Sequence, residues 1–344
     1  MRRTNKPSKT LLALTASALA LPGFGARAQA SDADSEVQYR HSSYREQSLP
    51  TGKTVNADGR RYEINTHQFR LLRPLSETLD LAVDATHETM SGASPWFVVP
   101  DANGRPIQVM SGATISERRN DLLASLTRYG YGSRLRGSAG HSIEDDYRAT
   151  NLGVEYERDI AVGSTWSVGL GGSWDRLSPT DGGSARFPDR ITAASRRSAN
   201  TYAGYSTALN PNTALQFGLN LGRSSGFLSD PYKLATVDGT AQADRRPDDR
   251  TLLAATTRLR YFVEAANAAL HADYRLYRDD WRIGAHTLEV AWLQNLPAGW
   301  LLSPSLRGYS QDAAYFYAPF YGTARNDGLA SSDYRLSDYR ALSL

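Results

Sequence analysis

The sequence predicts an all-β chain: an antiparallel, up-and-down β-barrel that spans a membrane. Three observations predict it. Apolar and polar residues alternate through segments too long for an ordinary sheet, short turns alternate with long polar connections, and the N-terminus carries an export signal. The alternation is clearest between Ala268 and Leu293. Leu270, Ala272, Tyr274 and Leu276 interleave with His271, Asp273, Arg275 and Tyr277; then Leu288, Val290 and Trp292 interleave with Thr287, Glu289 and Ala291. Successive strand side chains point to opposite faces, so each segment has one apolar and one polar face. Strands of soluble sheets run to ~5–6 residues. A strand that crosses a bilayer needs ~9–11, apolar toward lipid and polar toward the lumen.

Taken from the start, Arg2, Arg3, Lys6 and Lys9 precede the apolar run Leu11 to Leu21, and Ala28-Gln29-Ala30 offers a small-residue cleavage site. This is the pattern of a secretory signal peptide over residues 1–30, cleaved after Ala30. It leaves residues 31–344 as one outer-membrane domain of a Gram-negative cell. No later stretch approaches ~18 consecutive apolar residues, so no transmembrane helix is expected. The signal holds five basic and no acidic residues, which leaves 34 basic against 36 acidic side chains. The sequence pI of 9.0 is therefore a property of the precursor. It excludes nothing by itself, but the mature balance argues against a nucleic-acid partner. Lys53 and Lys233 are the only lysines past the signal. A guanidinium-lined passage for carboxylates or phosphates is one explanation; genomic base composition is the better one, because arginines also fill the loops. Cysteine is absent, so disulfides play no part.

Strands are expected at Val37–Glu46, Tyr62–Leu72 and from Leu79, where Leu79, Leu81, Val83 and Ala85 oppose Asp80, Ala82, Asp84 and Thr86. Met90 to Thr114, rich in Gly and Pro, reads as a loop. Arg118–Tyr129, Ser133–Ser142, Tyr147–Arg158 and Ser164–Arg176 follow as strands, then a loop to Ser195, then Arg197–Ala208 and Thr213–Arg223. A polar loop leads to Asp249. Arg250–Val263, the two strands of the opening segment, Trp300–Tyr309 and Ser331–Leu344 complete about fourteen, an even number as outer-membrane barrels favour. Short turns follow residues 73, 130, 159, 208, 263 and 295, and most other connections are long. With a periplasmic N-terminus, all six short turns fall on the periplasmic side. A soluble sandwich has no reason to sort its loops in this way. Trp166, Trp292 and Trp300 lie near those turns and, with Trp174, are expected as membrane-interface aromatics, since indole favours the headgroup level.

Several segments together resemble an uncharacterised outer-membrane β-barrel family, domain of unknown function family 3570. They are Met90-Ser91-Gly92-Ala93-Ser94-Pro95, Glu144-Asp145-Asp146-Tyr147-Arg148, Asp230-Pro231-Tyr232-Lys233, Tyr274 to Trp281, and Ser331-Ser332-Asp333-Tyr334-Arg335-Leu336. The resemblance runs from about residue 35 to the end. It implies an outer-membrane barrel and brings no assigned substrate or catalytic residue. Such barrels usually finish on an aromatic residue read by the assembly machinery. This chain stops at Leu344, and one further hairpin would bring the strand number to sixteen.

The polar face supplies the lumen-lining candidates: Asp80, Asp84, Glu155, Glu157, Arg258, Arg260, His271, Asp273, Arg275 and Glu289. Arg258 and Arg260, Asp273 and Arg275, and Glu289 fall on three consecutive strands, where cross-strand ion pairs form readily. Such charge either orients passing solutes or holds a wet wall together. His41 and Ser43 share a face, the minimum for a hydrolase pair, but nothing locates an orienting Asn or Asp. No enzyme is expected. Asp248-Asp249 and Asp279-Asp280 lack a metal-ligand series, and no metal or cofactor is expected. The reading is a barrel for porin-like passage of small polar or charged solutes, with outer-membrane lipids and the barrel-assembly machinery as partners. The alternative is a plugged barrel serving as a surface scaffold or assembly partner; an outer-membrane hydrolase comes third.

Overall fold

The computed structural model describes residues 34–47, 54–55, 62–92, 95–110, 115–185 and 187–344. The expected signal peptide and its cleavage site lie outside them. Among the described residues the strands are, in chain order, β1 (Glu36–Arg45), β2 (Thr54–Val55), β3 (Glu63–Ser76), β4 (Leu79–Gly92), β5 (Pro95–Pro100), β6 (Pro106–Met110), β7 (Ile115–Gly130), β8 (Ser133–Glu144), β9 (Tyr147–Ala161) and β10 (Ser164–Leu177). They continue as β11 (Ala194–Asn210), β12 (Thr213–Gly226), β13 (Leu234–Val237), β14 (Thr240–Ala243), β15 (Asp249–Val263), β16 (Ala268–Asp279), β17 (Gly284–Asn295), β18 (Leu301–Leu302), β19 (Ser305–Gln311) and β20 (Tyr339–Ser343).

One sheet takes fifteen of these strands, in the order β1-β3-β4-β7-β8-β9-β10-β11-β12-β15-β16-β17-β19-β20, with β18 paired to β17. Each wall strand is hydrogen-bonded to the next wall strand of the chain, which is the up-and-down meander that the alternation predicts. β1 and β20 are the two edges of the ladder. All six short connections form. Gly132 and Gly163 turn two of them at φ 61° and 74°, a region that costs glycine nothing.

Register carries the apolar stripe from strand to strand. Leu170 faces Thr201, Thr201 faces Leu221, and Leu221 faces Leu253. This face is the exposed one: Leu170 is 59% and Leu221 50% accessible, whereas Ser167, Gln216, Asn220 and Ser224 on the opposite face are buried. The wall is thus inverted relative to a soluble sheet. Its polar residues point in and its apolar residues point out. Both clusters of buried apolar side chains among the described residues lie in the loops, at the end away from the six short turns.

Four segments differ from expectation. Within 90–114 a hairpin, β5–β6, forms, and β2 joins it in a small three-stranded sheet. Pro95, Pro100 and Pro106 stand at strand ends, where no ladder N–H is needed, so they bound the strands and do not break them. The loop before Asp249 contains the hairpin β13–β14, turned by Asp238 and Gly239 at φ 48° and 70°, the primed-turn geometry that Asp-Gly favours. The expected strand Trp300–Tyr309 is divided into β18 and β19 around Pro304, which has no N–H to give; its carbonyl accepts from the Trp292 amide at 3.0 Å. Most of Ser331–Leu344 is not strand. Asp333 accepts from the Arg335 amide at the start of a 3₁₀ turn over Tyr334–Leu336, a local bond that displaces the ladder.

Candidate functional site

All ten charged candidates stand on the buried, polar side of the wall, but they do not form one site. Asp80 and Asp84 are on β4, Glu155 and Glu157 on β9, and the other six on β15, β16 and β17. Asp84, Glu157, Arg258, Arg260 and Asp273 are drawn into cross-strand ion pairs. Arg70 reaches Asp84 at 3.2 Å and Arg134 reaches Glu157 at 2.5 Å. Asp273 accepts from both Nη atoms of Arg260 and lies 3.9 Å from Arg258. His271 stands opposite Arg260, Arg275 opposite Thr256, Glu155 opposite Arg136, and Glu289 opposite both Asp273 and Arg307. Asp80 is buried, and its Oδ1 has no hydrogen-bond partner.

Two further clusters escaped the sequence reading. Arg196 donates from Nε and Nη2 to Asp175 at 2.9 and 2.7 Å, and Tyr147 donates to the same oxygen at 2.5 Å. Arg250 donates to Asp279 at 2.9 and 2.5 Å, joined by Tyr277 at 2.9 Å. Tyr277 and Asp279 sit two apart and so share a face, a spacing that could have flagged the second cluster.

The tryptophans divide. Trp166 and Trp174 share the outer face of β10, the first at the short-turn end against Tyr156 with ring centroids 5.4 Å apart, the second half-exposed at the loop end. Trp292 pairs with Leu270 on the outer face and donates from Nε1 to Gln294 at 3.1 Å. Trp300 lies in the connection before β18 and is 70% accessible, on no strand face.

The long connections converge on the segment between β12 and β15. Thr236 Oγ1 donates to the Val98 carbonyl at 2.6 Å, which ties β13 to the β5–β6 hairpin. The Tyr232 hydroxyl donates to Asp146 in the β8–β9 turn and accepts from the Thr180 amide at 2.9 Å in the β10–β11 loop. Ser332 donates to the Leu234 carbonyl at 2.9 Å, and Arg245 exchanges backbone bonds with Ala330. Trp281 and Ile283 from the β16–β17 turn pack with Ala314, Phe316 and Leu336 from the β19–β20 connection. Complete burial of one such aromatic side chain stabilises by ~1.5–3 kcal/mol. Ala235, Val237 and Ala330 form a second core with Tyr321. Six connections from wall strands β4 through β20 therefore meet in one cap.

A buried charge network pins the cap. Arg246 donates to Asp244 at 2.7 Å and to Asp333 at 2.9 Å; Arg335 donates to Asp333 and reaches Asp230 at 3.1 Å. The Asp244 and Asp333 side chains are fully buried. Burial alone would raise the Asp333 carboxyl, but Arg335 and Arg246 outweigh it and hold it far below the usual carboxylate range. Burial pushes the Tyr232 phenol well above its ordinary value, and its bond to Asp146 adds to the rise. Charges buried at this depth persist only when paired and hydrogen-bonded, as Asp333 is by two arginines, whereas burial raises the Asp244 carboxyl even beside Arg246.

No chemistry gathers around His41 and Ser43. They share the outer face of β1, but the His41 ring rests on His67, centroids 4.7 Å apart, and Asn65 stands opposite Ser43. Among the described residues no hydrogen bond joins His41 to Ser43 or to Asn65. Among the described residues no group of three His, Cys, Asp or Glu side chains could hold a metal ion, and no helix is long and apolar enough to cross a membrane, which says nothing of a barrel.

An apolar belt this extensive has no place in water. With a polar inner face behind it, the wall is that of an outer-membrane β-barrel protein. Several solved structures are similar at low identity. A ferric enterobactin receptor mutant from Pseudomonas aeruginosa is 10% identical at a TM-score of 0.42, over 81% of this chain and 53% of that one, so the chain spans about half of that receptor. OccK10 (OpdN) from the same organism is 11% identical at 0.33, over 81% and 91%. Wzi from Escherichia coli, an outer-membrane protein involved in group 1 capsule assembly, is 10% identical at 0.21, over 89% and 85%. At these scores the likenesses carry no functional argument. No curated protein matches. The segments singled out in the sequence fare differently. Asp230 and Tyr232, Asp146, Trp281, and Ser331 to Leu336 are the parts from which the cap is built. The model of a family described as "Protein of unknown function (DUF3570)" matches residues 11–344, and the chain belongs to that family.

Proposed function

We propose that the protein is a capped outer-membrane barrel that serves as a surface scaffold or assembly partner, with its outer mouth closed by its own loops. The observation that carries this reading is the Thr236–Val98 bond. It joins a loop between β12 and β15 to one between β4 and β7, although four wall strands separate β7 from β12. At ~4.8 Å per strand those loops start more than 20 Å apart along the sheet. Loops that meet over that distance, one of them also holding a buried charge network with the β19–β20 connection, form a folded surface, not a mobile fringe. The charged inward face supports a second reading, passage of small polar solutes along Arg258, Arg260, Asp273, Arg275 and Glu289, and there the cap would be the gate. In both readings Trp166, Trp174 and Trp292 mark the headgroup levels.

A scaffold must present its cap to the outside. The chain has no cysteine, so single introduced thiols report unambiguously. Gln242→Cys, exposed on β14, should be labelled on intact cells by a membrane-impermeant maleimide. Tyr131→Cys, 99% accessible in the β7–β8 turn, should be labelled only after the outer membrane is opened. The reverse pattern would put the cap in the periplasm and end the scaffold reading.

A further inference from the structure

The outer face of the wall is poor in charge between its two ends. Among the arginines that point outward at the cap end are Arg118 on β7, Arg148 on β9, Arg176 on β10, Arg197 on β11, Arg223 on β12 and Arg278 on β16, all exposed. Two of them have carboxylates nearby, Arg118 with Asp145 at 3.9 Å and Arg223 with Asp249 at 3.4 Å. The three between these are different. Arg148 stands directly opposite Arg176, and Arg197 stands opposite Trp174, one step along the same face. Among the described residues none of the three has an ion-pair partner. Like charges directly across a sheet are destabilising. Inward arginines show the contrast, since Arg196 on β11 is held by Asp175 and Arg134 on the neighbouring β8 by Glu157.

A second feature lies beside this cluster. Below Arg148 on the outer face come Thr150 and Leu152, and Leu152 borders an open groove of about 420 Å³. Leu81, Ala124, Leu126, Gly137 and Ala139 continue it. The wall is planed down there by small residues, ~13 Å along the strand from Arg148, within reach of a lipid chain whose headgroup sits on the arginines.

We propose that Arg148, Arg176 and Arg197 form a binding site for the phosphate groups of a phosphorylated glycolipid in the outer leaflet, with one acyl chain lying in the groove below. Guanidinium forks match phosphate oxygens in paired, charge-assisted bonds. An anion between Arg148 and Arg176 removes the repulsion that the protein itself leaves uncompensated. Trp174 supplies a flat apolar surface at the level where headgroup meets chain. The inference rests on the outer-membrane reading above.

The test is native mass spectrometry of the refolded full-length mature chain, titrated with lipid A bisphosphate, with the same lipid after dephosphorylation, and with inorganic phosphate. Heat-modifiable gel migration first establishes that each preparation is a folded barrel, so failure of the barrel reading is seen separately. Wild type should retain the bisphosphate and release the dephosphorylated lipid. Each arginine lost should weaken retention about tenfold, the worth of one charge-assisted contact. Arg176→Gln alone should therefore show the effect if the triple variant Arg148→Gln, Arg176→Gln, Arg197→Gln does not fold. Arg73→Gln with Arg128→Gln, outward at the short-turn end, should bind as wild type does. Equal retention of both lipids, or no loss in the folded Arg176→Gln variant, overturns the proposal. So does competition by inorganic phosphate at concentrations comparable with the lipid, which would make this a free-anion site.

Discussion

Asp333 is the residue on which the cap depends most. It accepts from Arg246 at 2.9 Å and from Arg335, and bonds the Arg335 amide at 3.1 Å, with its side chain entirely buried. Removing it leaves two buried guanidiniums with one carboxylate each, Arg246 with Asp244 and Arg335 with Asp230, a loss approaching the ~3–5 kcal/mol of a broken buried pair. Asp333→Ala should therefore open residues 312–338 to limited proteolysis while the wall stays heat-modifiable; an unchanged digest would mean that the network is dispensable. The pH dependence follows from the same carboxyl. Its folded-state pKa lies below the unfolded value of ~3.9, so its contribution is complete above that value and is lost only as pH falls through the folded one. The protection that Asp333 supplies, read as the difference in hydrogen exchange between wild type and Asp333→Ala, should accordingly be constant between pH 8 and pH 5 and fail only in strong acid. A midpoint near pH 6 would assign the cap to another group.

At the scale of elements, the strands answer to lipid and the hairpins to one another. Leu170 is at the middle of β10 and 59% accessible on the outer face. Leu170→Arg should cost ~2–4 kcal/mol, the range for a cation at the bilayer midplane, measured by denaturant titration in lipid vesicles. A cost near zero would remove Leu170 from the lipid belt. Thr236→Val deletes the bond to the Val98 carbonyl while keeping the side chain's shape. A loss of ~1 kcal/mol, read as faster hydrogen exchange confined to residues 95–110 and 234–243, is expected. These two elements also show how far the sequence reaches. The alternation Leu215, Phe217, Leu219, Leu221 states which face of β12 is apolar, because the two-residue period of a strand is a local property. The hairpin over 234–243 was written locally as well, in Asp238-Gly239, but it lies in a stretch whose overall polarity reads as loop. The bond from Thr236 to Val98 crosses 138 positions, and no local pattern reports a partner at that distance. The charged candidates were legible as a face for the same reason that they were not legible as a site. Period gives orientation, whereas pairing such as Arg260 with Asp273 needs the register.

At the scale of the whole molecule, an inverted wall carries its buried apolar core outside the sheet, in the loops. The belt around Leu170 and Leu221 places the chain in lipid, the network of Arg134, Asp175, Arg196, Asp273 and Arg260 stands on the inward face, and in the proposed reading the cap around Asp333 and Phe316 closes one end. The proposed function turns on that closure. It is tested most directly by single-channel recording of the refolded, heat-modifiable chain in a planar bilayer at neutral pH, wild type beside Asp333→Ala. Wild type should give a silent bilayer or rare brief openings, and Asp333→Ala should give discrete, lasting steps as the loops release. Sustained conductance steps from wild type, unchanged by Asp333→Ala, would contradict the account and leave an open porin in its place.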